Sequence, residues 1–393
     1  MPAAKRRYFD NAATSFPKPP GVLQAMHRYA TEIGASAGRG AYREALQAQQ
    51  IITETRSRLA RLIGAPDPNH VILTFNCTDG LSLAIKGLLT TPAEHVVTTR
   101  MEHNSVLRPL HALQKNLGID VTYVPADCRG LVDPDDLRRA IRPNTRLIAV
   151  VHASNVCGSV QDIAAVSQIA RRHEIPLLVD AAQTIGHLPI DLTKTPIDLL
   201  AFPGHKGLLG PLGTGGLYIR PGLEQRLRPL KEGGTGSRSA IPEQPDFLPD
   251  RFEAGSHNLI GIAGLGEAAA FLLERGIENL HAHESKLSLA FLEGAAGRGL
   301  TVHGPTDLQR RLGVFSVTVA GYEPLELAAI LEERFGLLTR PGLHCAPFAH
   351  ETLGTLDRGG TVRFSLGPFL EVEDVKYATE ALVQIAQATF IQP

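Results

Sequence analysis

Short apolar runs alternate with longer amphipathic stretches through the first 220 residues of this chain. VILTF (71–75), HVVTT (95–99), DVTYVP (120–125), RLIAVVHAS (146–154), IPLLVDAA (175–182), DLLAFP (198–203) and GGLYIR (215–220) each read as a strand. Their apolar positions are mostly continuous rather than alternating. That is the pattern of strands covered on both faces, as in a parallel sheet flanked by helices. Helical stretches fall between them at about 79–89, 105–118, 133–141 and 162–173. Asp133 can cap the third, with Pro134 in its first helical position. Upstream, Pro19-Pro20 opens a helix, and a longer one spans 41–63 and stops at Gly64.

Past residue 230 the rhythm changes. Residues 231–258 lack periodicity and are rich in Gly and Pro; a loop of that length is usually functional or packed on a partner subunit. A helical region then runs to about 298. It is followed by VFSVTVA, a helix over 325–335, TVRFSL and a final helix from 371, the alternation of a small α+β domain. The expected architecture is therefore α/β: a seven-stranded, mostly parallel sheet flanked by helices over 15–285, plus a smaller α+β domain from 1–14 and 286–393. A chain of 393 residues exceeds one ordinary core, in keeping with two domains.

Composition narrows the function classes. With 43% hydrophobic residues the chain can bury substantial cores. Its net charge is -1 and it has no long basic run, so it lacks the electrostatic footprint of a nucleic-acid binder. The start, MPAAKRRYFDNAA, has no apolar segment after its basic residues, and no apolar run approaches the ~20 residues that span a bilayer. A soluble cytoplasmic protein is expected. The four cysteines, Cys77, Cys128, Cys157 and Cys345, have no CxxC spacing, so neither a disulfide framework nor a metal site is expected. Each reads first as a small buried hydrophobe.

The candidate chemistry collects at strand ends, where α/β sheets bind ligands. After the first strand, Asn76-Cys77-Thr78-Asp79-Gly80 opens a helix, where free N–H groups favour a phosphate or accept a simple cap. After the second, His103 in MEHNS is suited to stack on a planar ring, trade protons or serve structurally. Asn155 follows the fourth in ASNVCG. Asp180 ends the fifth, where a dehydrated carboxylate needs a strong donor such as a protonated pyridine nitrogen. The sixth leads into Gly204-His205-Lys206. A lysine in such a tight glycine loop is either a solvated loop residue or one that has lost its charge in an imine with pyridoxal phosphate.

Taken together and in order, DNAATS, GRG, TDG, EHNS, ASNVCG, VDAAQ, GHK, EAGSHN, RPGLHCAP and VRFSLG resemble the class V, fold-type I pyridoxal-phosphate enzymes. Within these the chain is most similar to the group II cysteine desulfurase / selenocysteine lyase family, over residues 8 to about 390. The resemblance implies pyridoxal 5'-phosphate as cofactor, held covalently by Lys206, which would also move the substrate proton. Asp180 would pair with the pyridine nitrogen, Gln183 with the ring's phenolic oxygen, and His103 would stack on the ring. Thr78 and Asp79, with their backbone, and His205 would hold the phosphate. Ser256 matches a position that reaches it across a dimer interface. Asn155, Arg363 and Arg340 would bind the substrate, Asn155 and Arg363 through its carboxylate. Cys345 would accept the sulfur. Two positions depart from the family pattern. Pro203 replaces a common serine three residues before the lysine, and Tyr42 stands where relatives often carry histidine.

The implied activity converts L-cysteine to L-alanine and leaves the sulfur on Cys345 for delivery, for example to iron–sulfur cluster assembly. The expected partners are a second copy of the chain and a sulfur-acceptor protein, not nucleic acid or membrane. The alternatives are a selenocysteine lyase, another pyridoxal-phosphate C–S lyase, a class V aminotransferase and a non-catalytic cofactor-binding scaffold.

Overall fold

The computed structural model describes residues 5–38 and 40–389. Arg39, in the GRG motif, lies outside the described residues. All seven strands expected in the first half form one sheet, in the spatial order Val71–Thr74, Gly215–Ile219, Leu199–Pro203, Leu177–Asp180, Thr145–Val151, His95–Thr99, Asp120–Val124. The four strands from Leu177–Asp180 to Asp120–Val124 and their neighbour Leu199–Pro203 run parallel. Gly215–Ile219 is antiparallel to both its neighbours.

The continuous apolar runs are explained by two separate cores. Leu177, Val179, Leu200 and Phe202 face one side, packed with the helices Arg43–Ile63, Ile163–Arg172 and Leu259–Arg275. Leu178, Leu199, Ala201 and Leu217 face the other, packed with Cys77–Leu88 and Asn104–Leu117. Successive side chains of a strand point to opposite faces, so a strand buried on both must be apolar throughout.

The C-terminal segment forms a four-stranded antiparallel sheet in the order Arg340–Gly342, Thr361–Ser365, Val314–Val319, Leu300–His303. Helices Ile277–Ala295, Pro324–Phe335 and Val372–Thr389 cover it. In its core Phe291 stacks on Phe315 at 4.1 Å. Phe9 from the N-terminus enters the same core, and Arg7–Tyr8 pairs in parallel with Leu337–Leu338.

Five short elements had no signal strong enough to predict: Arg7–Tyr8, Leu300–His303, Leu337–Leu338, Arg340–Gly342 and Pro347–Thr352. The helical region after 258 divides into two helices at Gly276, which adopts φ 77. Two cysteines also depart from expectation, because Cys128 and Cys345 are exposed, whereas Cys77 and Cys157 are buried.

The long loop before residue 258 is clamped to the large sheet. Glu253 receives a bidentate pair from Arg56 at 2.5 and 2.8 Å, and its Oε1 also accepts Leu73 N–H at 2.6 Å. Both side chains are buried. Glu253→Ala would strand the Arg56 guanidinium without a counter-charge, so stability is expected to fall by about 3–5 kcal/mol. A urea titration measures this as a lower midpoint at unchanged slope.

Candidate active site

The carboxyl ends of five strands converge on a cavity of about 190 Å³. Asn76, Cys77 and Thr78 enter after Val71–Thr74, and His103 after His95–Thr99. Asn155 follows Thr145–Val151, Asp180 ends its own strand with Gln183 just beyond, and His205 and Lys206 follow Leu199–Pro203. Pro203 lines the wall as well, in place of a side chain with a hydroxyl.

The Lys206 turn is tight because two glycines flank it. A Cβ on Gly204 would lie 2.1 Å from Thr214 Oγ1, and one on Gly207 would lie 2.1 Å from the Ile185 carbonyl. The DNAATS segment wraps the same turn. Ser15 N–H donates to the His205 carbonyl at 2.9 Å, as do the Thr14 hydroxyl at 3.1 Å and Lys18 Nζ at 3.2 Å. Gln183, which is buried, donates through Nε2 to the Ala12 carbonyl at 3.2 Å and still lines the cavity.

Asp180 is 3% exposed. Its Oδ1 accepts Ala182 N–H at 2.9 Å and lies 3.6 Å from the Cys77 thiol. Burial raises its pKa above the ordinary carboxylate value, a shift that the Ala182 N–H, the Lys206 charge and the Cys77 contact oppose without cancelling. Burial lowers the pKa of Lys206, and Asp180 opposes that shift. A lysine shifted this way has more of the neutral amine, the form that condenses with an aldehyde.

His103 is fixed by the helix it precedes. Its Nδ1 accepts Ser105 N–H at 3.0 Å, so the ring's proton sits on Nε2. Burial, with the charges of Lys206, Arg340, Arg108 and Arg363, takes its pKa down to about 4. The imidazole in the wall is therefore neutral at physiological pH. Thr78 and Ser105 share a hydroxyl–hydroxyl hydrogen bond of 2.8 Å. Asn76 caps the helix Cys77–Leu88 by accepting Asp79 N–H at 2.9 Å, which leaves Cys77 and Thr78 N–H without an intrahelical partner.

The remaining expected residues lie outside this cavity. Arg363 is 1% exposed; it donates to Asp10 at 2.7 Å and to the Asn155 carbonyl at 3.1 Å. Arg340 pairs with Arg363 across two strands, and both charges act on His103 and Lys206. Cys345 is exposed on the loop before Pro347–Thr352, which docks against the cavity's residues. Asn155 Nδ2 donates to the His344 carbonyl at 2.6 Å, and Asn104 N–H to the Cys345 carbonyl at 2.8 Å. His344 and Cys345 both adopt left-handed backbone, φ 49 and 59, a strain that surrounding contacts must impose.

Ser256 is exposed and, with Asp79, lines a second pocket that Lys206 does not line. Tyr42 is 57% exposed. Three cavity-associated residues escaped the sequence reading: Ser105, Cys77 and Asp10. Ser105 sits in EHNS and Asp10 in DNAATS, so both motifs were visible while the roles of these members were not. The position of Cys77 beside Asp180 depends on strand order, which sequence alone does not give.

The donor set fits a pyridoxal phosphate. A buried carboxylate and a lysine with a lowered pKa share the cavity, open N–H groups lie at a helix N-terminus, and His205 Nδ1 and Asn155 Oδ1 are buried without hydrogen-bond partners. Comparison with known proteins agrees. The sequence profile of the family described as aminotransferase class-V matches residues 7–378. A probable cysteine desulfurase of Methanothermobacter thermautotrophicus is 35% identical over 390 residues, covering 98% of this chain and 96% of that protein. The apo structure of a cysteine desulfurase from Thermococcus onnurineus NA1 superposes with TM-score 0.92 at 32% identity, covering 98% of this chain and 95% of that one. The cysteine desulfurase CsdA of Escherichia coli, solved in an S-sulfonic acid form, gives 0.86 at 26% identity, covering 97% and 94%. Sequence similarity and fold are thus shared along nearly the whole chain, which belongs to the class-V aminotransferase family of pyridoxal-phosphate enzymes.

Proposed function

We propose that this protein is a cysteine desulfurase: L-cysteine and the Cys345 thiol become L-alanine and a Cys345 persulfide. The observation that carries this reading is the docking of the Cys345 loop on Asn104 and Asn155, beside the cavity that holds Lys206 and Asp180. The cofactor, when bound, supplies an electron sink for bonds at the substrate's Cα and Cβ. Lys206, Asp180, Gln183, His103, Thr78 and His205 would hold it, whereas Asp79 lines the neighbouring pocket and its N–H is taken by Asn76.

The chain's own residues do the rest. Lys206 Nζ takes the proton from substrate Cα and returns one to the product. Asp180 would accept a hydrogen bond from the protonated ring nitrogen of the bound cofactor. Arg363, with Asn155 and Arg340, orients the substrate carboxylate. Cys345, as thiolate, attacks the substrate sulfur. The S–S bond forms as the Cβ–S bond breaks, and the electron pair left on carbon ends as a C–H bond of alanine, so no external oxidant is needed. A second copy of the chain would bring its Ser256 to the phosphate, consistent with the exposed position of that residue.

We assign the cofactor to residues 15–285 and the thiol-bearing loop to the domain of 1–14 and 286–393. The helix Ile277–Ala295 crosses that boundary and ties the two together. Cytoplasmic sulfur delivery to an acceptor protein, as in iron–sulfur cluster assembly, completes the reading. Among the described residues no helix is long and apolar enough to cross a membrane.

Incubation with L-cysteine and a thiol reductant tests it. Alanine and sulfide are expected in equal amounts. Pyruvate and ammonia in place of alanine would instead indicate a C–S lyase, and dependence on an added keto acid an aminotransferase.

A further inference from the structure

We propose that Cys77 is a positioning residue for Asp180: its thiol donates to Oδ1 from inside the cavity and thereby assigns Oδ2 to the cofactor's ring nitrogen. This rests on the reading that Asp180 faces that nitrogen.

Cys77 is the first residue of the helix Cys77–Leu88 and reaches Asp180 from the far side of the site, since two strands separate Val71–Thr74 from Leu177–Asp180 in the sheet. Its side chain is buried and lines the cavity. The Sγ–Oδ1 distance is 3.6 Å, within reach for a sulfur donor. Ala182 N–H reaches the same oxygen at 2.9 Å. Both donors therefore land on Oδ1, and among the described residues none takes Oδ2. A carboxylate held by two donors at one oxygen cannot rotate freely, and its second oxygen is the acceptor left for a ligand.

Such a bond requires the thiol to keep its proton. Burial, reinforced by the Asp180 charge, pushes the Cys77 thiol well above its usual range, so it remains S–H at neutral pH. A thiolate there would place two like charges side by side in a dry site. The S–H bond in turn favours the ionised carboxylate and opposes the upward pull of burial on Asp180. Cys77 acts through Asp180, unlike Cys345, which our reading places on the substrate sulfur.

The test uses Cys77→Ala and Cys77→Ser in the full-length protein, with circular dichroism to confirm folding. Two quantities are read: the affinity of the apoenzyme for pyridoxal phosphate, and the pH at which the absorption band of the lysine-bound cofactor titrates. Loss of one modest hydrogen bond is expected to weaken cofactor binding about 2- to 10-fold in Cys77→Ala and to shift the band's titration. Cys77→Ser, which restores a donor, is expected to return both toward wild type. A Cys77→Ala protein that matches wild type in both readouts, or a Cys77→Ser protein no better than Cys77→Ala, overturns the assignment while leaving the functional reading intact. A wild-type protein with no cofactor band overturns the functional reading and this assignment with it.

Discussion

Replacing Lys206 with alanine is expected to leave a folded protein that holds pyridoxal phosphate only by dialysable contacts and turns over L-cysteine at least ~10³-fold more slowly, since nucleophile and proton-transfer roles are lost together. Lys206 shares the cavity with Asp180, and burial biases its amine toward the neutral form that bonds an aldehyde. The other contacts survive the substitution. The open N–H groups at Cys77 and Thr78, the Asp180 carboxylate and Gln183 do not depend on the lysine side chain, so weaker cofactor binding should persist. Absorbance before and after dialysis separates the two states. A small primary amine added to the variant should restore part of the turnover, because the pocket would again contain a base of the right kind. The control is Lys18, a second lysine near the turn. Its Nζ lies 3.2 Å from the His205 carbonyl, and burial lowers its pKa to about 8. If the covalent band persists in Lys206→Ala and disappears in Lys18→Ala, the cofactor has been assigned to the wrong amine.

The sheet was legible in the sequence for a physical reason. Strands such as IPLLVDAA and DLLAFP are buried on both faces, and only unbroken apolar runs satisfy that geometry. The short C-terminal elements were not, because Leu337–Leu338 and Arg340–Gly342 hold their place through pairing with distant strands and have no periodicity of their own. The same division holds for the site. Lys206, Asp180, His103, Thr78 and Asn155 stand at strand ends that the apolar runs already mark, and the structure gathers them in one cavity. The Asp10–Arg363 pair joins residues 353 positions apart, and the Cys77–Asp180 contact spans 103. Neither follows from local pattern, since both depend on which segments the sheet order brings together. Ser256 shows the complementary limit: its motif is readable, but the residue is exposed and lines a different pocket from the one that Lys206 lines.

Cys345→Ala is expected to abolish sulfide formation from L-cysteine, to below about 1% of wild type, while leaving the cofactor's absorption and affinity unchanged. The two halves of this expectation have separate structural causes. The thiol is exposed on a loop outside the cavity, so its removal takes nothing from the groups that hold the cofactor. That loop is also fixed through its backbone: Asn104 N–H and the Asn155 amide hold the Cys345 and His344 carbonyls, bonds an alanine keeps. His344, buried beneath the loop with Nε2 3.2 Å from the Thr361 hydroxyl, anchors it further. The left-handed backbone at position 345 strains alanine much as it strains cysteine, so the loop's conformation should persist. What disappears is the thiol to which the proposed reaction assigns the substrate's sulfur. Substrate binding should still perturb the cofactor spectrum, because Lys206 and the carboxylate-binding residues remain. Selenocysteine gives a sharper contrast: selenium leaves carbon more readily than sulfur, so the variant should retain a larger share of its activity on that substrate. Sulfide release from L-cysteine at the wild-type rate would show that no persulfide forms at position 345 and would move the protein from the desulfurases to the C–S lyases.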